Sequence, residues 1–171
     1  MTRSKVIAWL AMPALLCGCG QSPTPAMPTK VTPKQEAAEA VQRQDYASAE
    51  RLYRPLAEQG DASAQHFLGK MYQSGEGVRR DPVEAAKWFR LAADQGHTGA
   101  QFYLAEMYAS GNGVTQDYVQ AYMWFDLSTS GPQAFYAVAG RSEAADKMTP
   151  AQIIEAQRLA SAWRSKRAGQ R

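Results

Sequence analysis

The chain has 171 residues, 45% of them hydrophobic, with four Trp, eight Tyr and five Phe; that is enough for one compact domain and a short leader. It is rich in Ala and poor in Val, Ile and Thr, a balance that favours helix over strand. The net charge of +3 lacks the basic footprint of a nucleic-acid binder, and the confinement of cysteine to Cys17 and Cys19 excludes disulfides, thiol catalysis and Cys-based zinc sites from the rest of the chain.

Arg3 and Lys5 form a positive start, and Val6 to Leu16 is an apolar run. The run is too short to span a bilayer as a mature helix and suits a secretory leader. Leu16-Cys17-Gly18-Cys19 resembles a bacterial lipobox. That resemblance implies a signal peptide over 1–18 and lipidation of Cys19; the rival is an ordinary signal peptide with incidental cysteines. Two or more acyl chains hold a protein stably on a membrane, because each buried CH₂ contributes about 0.8 kcal/mol. Gly20 follows the cysteine where Asp would signal retention, so the resemblance implies an exported protein on the outer membrane, facing the periplasm. Residues 19–33 carry Pro23, Pro25, Pro28 and Pro33. They read as an extended tether, since this composition cannot bury a core.

Beyond the tether the chain repeats itself at a spacing of 36 residues. Ala64-Gln65, Leu68, Met71-Tyr72, Gly75, Gly77, Val78, Asp81, Ala85, Trp88 and Phe89 recur as Ala100-Gln101, Leu104, Met107-Tyr108, Gly111, Gly113, Val114, Asp117, Ala121, Trp124 and Phe125. Asp45, Ala49, Leu52 and Tyr53 echo the second half of the unit one period earlier. The divisions are a partial repeat over 34–60, full repeats over 61–96 and 97–131, and capping helices with a basic tail over 132–171. Each full unit reads as two helices. Ala64, Phe67, Leu68, Met71 and Tyr72 share one helical face, and Ser74-Gly-Glu-Gly77 breaks the helix by backbone angles closed to other residues. Asp81 caps the next helix, with Pro82 in its first turn and Glu84 as a capping-box partner. Ala85, Trp88, Phe89 and Ala92 form its buried stripe. One unit cannot bury its stripe alone, so units must stack.

After 131 the pattern weakens. Residues 133–147 read as a helix, and Thr149-Pro-Ala-Gln152 starts another, with Ala156, Leu159, Ala160 and Trp163 as its single apolar stripe. This is the end unit that a solenoid requires. Arg164, Lys166, Arg167 and Arg171 read as a solvated helix end, favourable at the negative pole of the macrodipole.

The pattern A-x-x-x-L-x-x-x-Y-x-x-G-x-G-V-x-x-D-x-x-x-A-x-x-W, met by Ala64 to Trp88 and by Ala100 to Trp124, resembles the Sel1-like repeat family, relatives of the tetratricopeptide repeats. In the partial unit Leu52 stands where Trp is expected. The resemblance implies an all-α protein, a short right-handed α-solenoid of helix–loop–helix repeats with a C-terminal capping helix pair. By analogy with the tetratricopeptide groove, it places Ser63, His66, Lys70 and Gln73, then Gly99, Phe102, Glu106 and Ser110, on a concave partner-binding face. Phe102 either anchors a partner there or packs on a neighbouring helix, and Lys70 and Glu106 are placed to pair.

The residues name no catalytic group, metal ligand or cofactor. His66 and His97 fall on different helices with no second ligand aimed at the same point. Gly75-Glu-Gly77 and Gly111-Asn-Gly113 sit between helices and lack the strand and Lys-Ser/Thr of a phosphate loop. Asp81 and Asp117 are explained as caps. The function that follows is non-enzymatic binding of a protein or peptide at the bacterial envelope, as an adaptor, scaffold, inhibitor or immunity factor. One rival is binding of peptidoglycan or glycan, with Phe102, Tyr103 and Tyr136 stacking on sugar if exposed. The other is an envelope hydrolase, for which no acid–base constellation is visible.

Overall fold

The structure is a computed structural model that describes residues 31–170. The leader, Cys17, Cys19 and the tether to residue 30 lie outside the described residues, as does Arg171.

All the helices except the seventh begin where the sequence supplies a side-chain cap. They are α1 (Pro33–Gln42), α2 (Tyr46–Glu58), α3 (Ala62–Ser74), α4 (Pro82–Asp94), α5 (Thr98–Ser110), α6 (Tyr118–Ser128), α7 (Ala134–Ala145) and α8 (Pro150–Ala168), with no strand among the described residues. Asp45, Asp61, Asp81 and Asp117 accept backbone amides at the starts of α2, α3, α4 and α6, and each such cap contributes about 1 kcal/mol. Thr32 and Thr149 complete capping boxes with Gln35 and Gln152. Two expectations change here. Pro33, assigned to the tether, is the first residue of α1, because Thr32 caps it. Glu84 makes no capping box: Asp81 alone accepts from Val83 N (3.0 Å) and Glu84 N (3.1 Å), and Glu84 pairs instead with Lys87 at 2.8 Å.

The N-terminal unit is a helix pair, α1 and α2, whose connector over 43–45 is closed by Gln44 in the left-handed region (φ 61). The full units use the longer connectors 75–81 and 111–117. Their first glycines, Gly75 and Gly111, are left-handed C-caps. Their second glycines do something the sequence does not suggest. Gly77 lies on the backbone of Tyr46 and Gly113 on that of Pro82, so close that a Cβ would collide with the carbonyl. Tyr46 and Pro82 are the first residues of α2 and α4, so each loop docks on the start of the preceding unit's second helix.

The stacking repeats with the sequence. The Gln65 amide donates to the Ala57 carbonyl (3.0 Å) and Gln101 to that of Ala93 (3.2 Å), each tying a first helix to the end of the preceding second helix. Arg54 donates to the Tyr72 hydroxyl (2.8 Å), and Arg90 to that of Tyr108. Tyr53 stacks on Phe67 with centroids 4.8 Å apart, and Phe89 on Tyr103 at 5.2 Å. Ala49, Ala64, Ala85, Ala100 and Ala121 are fully buried and let the helices close on one another. Trp124 is buried and Trp88 half-buried, each contributing on the order of 2–3 kcal/mol.

The last unit departs from this order. α7 packs on α6, but α8 returns to α6 instead of pairing with α7. Asp126 occupies the register position of Arg54 and Arg90. It receives Arg141 and Arg164, both at 2.6 Å. Arg167 lies over the Trp163 ring and donates to the Asp94 carbonyl at the end of α4 (3.2 Å). The basic C-terminus is therefore not merely a solvated end: two of its arginines dock the capping helix onto the repeats.

Candidate partner-binding groove

The residues placed on the concave face by analogy fall into different settings. His66 is wedged among Phe67, Phe89 and Tyr103 and stacks on His97, with ring centroids 4.5 Å apart and planes at 25°. Its Nε2 is buried without a hydrogen-bond partner. Burial, then the neighbouring imidazole and Lys70, lowers its pKa to about 3, so it is neutral across the physiological range. His97 stands in register with Asp61 and does the same work: Nδ1 accepts from Ala100 N (3.2 Å) as the cap of α5. The sequence treats these histidines as unrelated; the stacking brings them into contact and gives both to the structure of the seam.

Ser63 and Gln73 are half-buried, and the Gln73 carbonyl accepts from Arg80 (3.1 Å). Gly99 is buried against His66. The Ser110 hydroxyl turns back to the Glu106 carbonyl (2.7 Å). Lys70 and Glu106 are both exposed but do not pair among the described residues. Phe102 is 8% exposed and meets Phe125 edge to face at 5.8 Å; of its two expected roles, packing on a neighbouring helix is the one the structure shows. The proposed sugar platform does not form, because Phe102 is buried and Tyr103 stacks on Phe89, which leaves only Tyr136 of the three exposed.

Two of the expected residues, Phe102 and Glu106, do line a groove. It lies between α5, α6 and α7 and has a volume of about 470 Å³, within the roughly 300–1,000 Å³ typical of ligand sites. Phe102 and Phe125 are its buried aromatic lining residues; α7 contributes Tyr136, Ala139, Gly140, Glu143 and the buried Ala144. The repeat explains why it is open. α7 begins 36 residues after α5, which puts Ala139 in register with Tyr103 and Phe67. At the two preceding seams that position carries a ring stacked on the second helix; at this seam it carries a methyl group. Gly140 lies directly on the Phe125 ring, so α7 still closes on α6 while the space beside it stays empty. The register visible in the sequence fades at 131, and with it goes any hint of α7's contribution. Counting one more period from Tyr103 finds it.

The electrostatics of the groove are lopsided. Glu106 and Glu143 both line it, with Lys147 past the end of α7. Neither carboxylate joins an ion pair or a side-chain hydrogen bond among the described residues, and desolvation pushes the Glu106 carboxyl up from its ordinary value.

Comparison with known proteins follows the same register. The Sel1 repeat model matches residues 39–61, 62–97 and 98–130, more than half of the chain. A crystal structure of c5321, a protective antigen present in uropathogenic Escherichia coli strains and displaying an SLR fold, superposes with a TM-score of 0.72 at 32% identity, over 77% of this chain and 29% of that one. A Sel1 repeat protein from Oxalobacter formigenes gives 0.54 at 28% identity, over 57% of this chain and 39% of that one. The chain thus spans well under half the length of either. No curated protein matches it.

Proposed function

Because this chain belongs to the Sel1 repeat family, whose members are generally protein-interaction modules, we propose that it is a non-enzymatic binding module that holds a protein partner in the groove between α5 and α7. The observation that supports this is the open last seam: an apolar recess bordered by two unpaired carboxylates, at a position that the other seams fill with their own side chains. Wells with a few polar groups on an apolar floor are where ligands bind.

The setting we propose is the bacterial envelope, with Cys19 lipidated and the repeats held by residues 20–31 on the periplasmic side of the outer membrane. The support is the lipobox-like Leu16-Cys-Gly-Cys19, the Gly that follows it and the proline-rich stretch beyond. There the module would act as an adaptor, a scaffold or an inhibitor of another envelope protein. No helix among the described residues is long and apolar enough to cross a membrane.

Two experiments test this. Metabolic labelling with a radioactive fatty acid should mark the wild type and leave Cys19→Ser unlabelled; label retained in the variant refutes the anchor. A photo-crosslinking residue at Tyr136 should trap a discrete partner in intact cells, while the same residue at Leu91, exposed on α4, should not. Crosslinks from Leu91 alone would move the binding face and overturn the groove assignment.

A further inference from the structure

We propose that the groove recognises an extended segment of a partner carrying an aromatic side chain beside a basic one. The aromatic takes the place of the ring this chain lacks at position 139, and the base pairs with Glu106 and Glu143. The inference rests on the binding function above and names the chemistry of its occupant.

The argument begins with the ring series. Tyr53 meets Phe67 and Phe89 meets Tyr103, each a second-helix ring stacked on a first-helix ring of the next unit. Phe125 is the next member on the second-helix side; Gly140 lies on its ring, and the exposed Ala139 lines the recess beside it. The recess beside it is therefore shaped by a scaffold that elsewhere accommodates Phe or Tyr at this point. Aromatic pairs prefer offset or edge-on contact with centroids about 4.5–7 Å apart, and Phe102, Phe125 and the exposed Tyr136 line the space from three helices. Charge complementarity supplies the second half. Two carboxylates face one ammonium, Lys147. Neither Glu106 nor Glu143 has an ion-pair partner among the described residues, and an arriving guanidinium or ammonium would supply one. Arg is the better match to such a carboxylate, because it can bond both oxygens at once.

The probe is a positional-scanning library of labelled hexapeptides, read by fluorescence anisotropy on the purified repeat body with its tether. The expected selection is for Phe, Tyr or Trp one or two places from Arg or Lys. Ala139→Tyr restores the missing ring in cis and should weaken the selected peptides at least tenfold with an unchanged helical spectrum. Glu106→Gln with Glu143→Gln should abolish the preference for Arg and Lys while the aromatic preference persists. Selection of acidic peptides, or equal binding by Ala139→Tyr, overturns the proposal. If no peptide is selected while Tyr136 still crosslinks a partner in cells, this inference falls and the binding function stands. If Tyr136 crosslinks nothing and peptides are selected all the same, the recognition chemistry stands and the cellular assignment falls.

Discussion

The seam between α3 and α5 and the seam between α5 and α7 are built on one plan and finished differently. In the first, Tyr103 stacks on Phe89, His66 fills the gap beside it, and His97 closes the edge. In the second, Phe102 stands for His66 and Phe125 for Phe89, but Ala139 replaces Tyr103, and a groove of about 470 Å³ opens. A repeat protein's stability is close to a sum over units and interfaces, so an interface can lose a side chain without unfolding the rest. The two seams thus differ in finish: one is closed by its own aromatics, the other leaves their space open.

Opening the closed seam should have the largest effect. Tyr103→Ala removes a half-buried ring packed on Phe89 and His66 and should cost about 2–3 kcal/mol, below the range for a fully buried aromatic, measured by urea unfolding. It should also create a second groove one unit earlier. A cost below about 1 kcal/mol would mean that the stack contributes little and that the contrast between the seams is superficial.

Acid is the next lever, and between pH 7 and pH 5 it acts chiefly on the closed seam. His66 has a folded pKa of about 3 and His97 one lowered by burial, against about 6.5 unfolded. The unfolded chain therefore binds more protons as pH falls. Stability should be complete above about pH 6.5 and decline below it, His66 alone contributing roughly 1.4 kcal/mol per pH unit down to about pH 3. Asp61 and Lys34 act on His97 in opposite senses, and Lys70 adds to the depression at His66. Between pH 7 and pH 5 the loss should be about 2 kcal/mol, and His66→Phe, which installs the residue of the next unit, should remove most of it. Equal acid sensitivity in that variant would place the effect elsewhere.

The cap offers a smaller test. Asp126 stands where the earlier units carry Arg54 and Arg90, and it ties Arg141 of α7 and Arg164 of α8 to α6. Asp126→Asn keeps the shape and loses the charge. Bonds to charged groups are worth more than neutral ones, but Arg164 is half exposed and Arg141 about one-third exposed, which screens both pairs. The expected cost is about 1 kcal/mol, seen as faster amide exchange in α7 and α8 with α1 to α4 unaffected.

What the sequence makes legible follows from what repeats. Asp81 and Asp117 are readable as caps, and Trp88, Trp124 and the alanines as a seam, because each occurs twice at one spacing and its role is local or lies within the unit. What escapes belongs to contacts between units. Gly77 against Tyr46, Gln65 on Ala57 and Arg54 on Tyr72 obey the same period, but sequence alone does not say which residue of the neighbour they meet. His97 reads as an isolated histidine, although its register with Asp61 marks it as a cap. The groove escapes for a different reason: it is made by an absence, Ala139 where a ring is due, and small residues carry no signal unless the register is extended through a degenerate unit.

Ala139→Tyr has the smallest expected effect on stability and bears most directly on the contrast between the two seams. If the last seam keeps the geometry of the earlier one, the new ring finds Phe125 beside it and an aromatic pair worth about 0.5–1.5 kcal/mol beyond its buried area. Some of that is offset by the cost of fitting a large side chain into a formed structure. The net gain should be about 0.5–1 kcal/mol, a small rise in the urea midpoint with an unchanged slope. A loss of stability would mean that α7 has closed past the register position, with Gly140 on Phe125 setting a distance too short for a ring. The groove would then be a gap with its own shape, and a partner would have to match that shape instead of imitating the repeat. A gain means that the chain has withheld a ring its own scaffold still accepts, and that closing the seam in cis and occupying it in trans are alternatives.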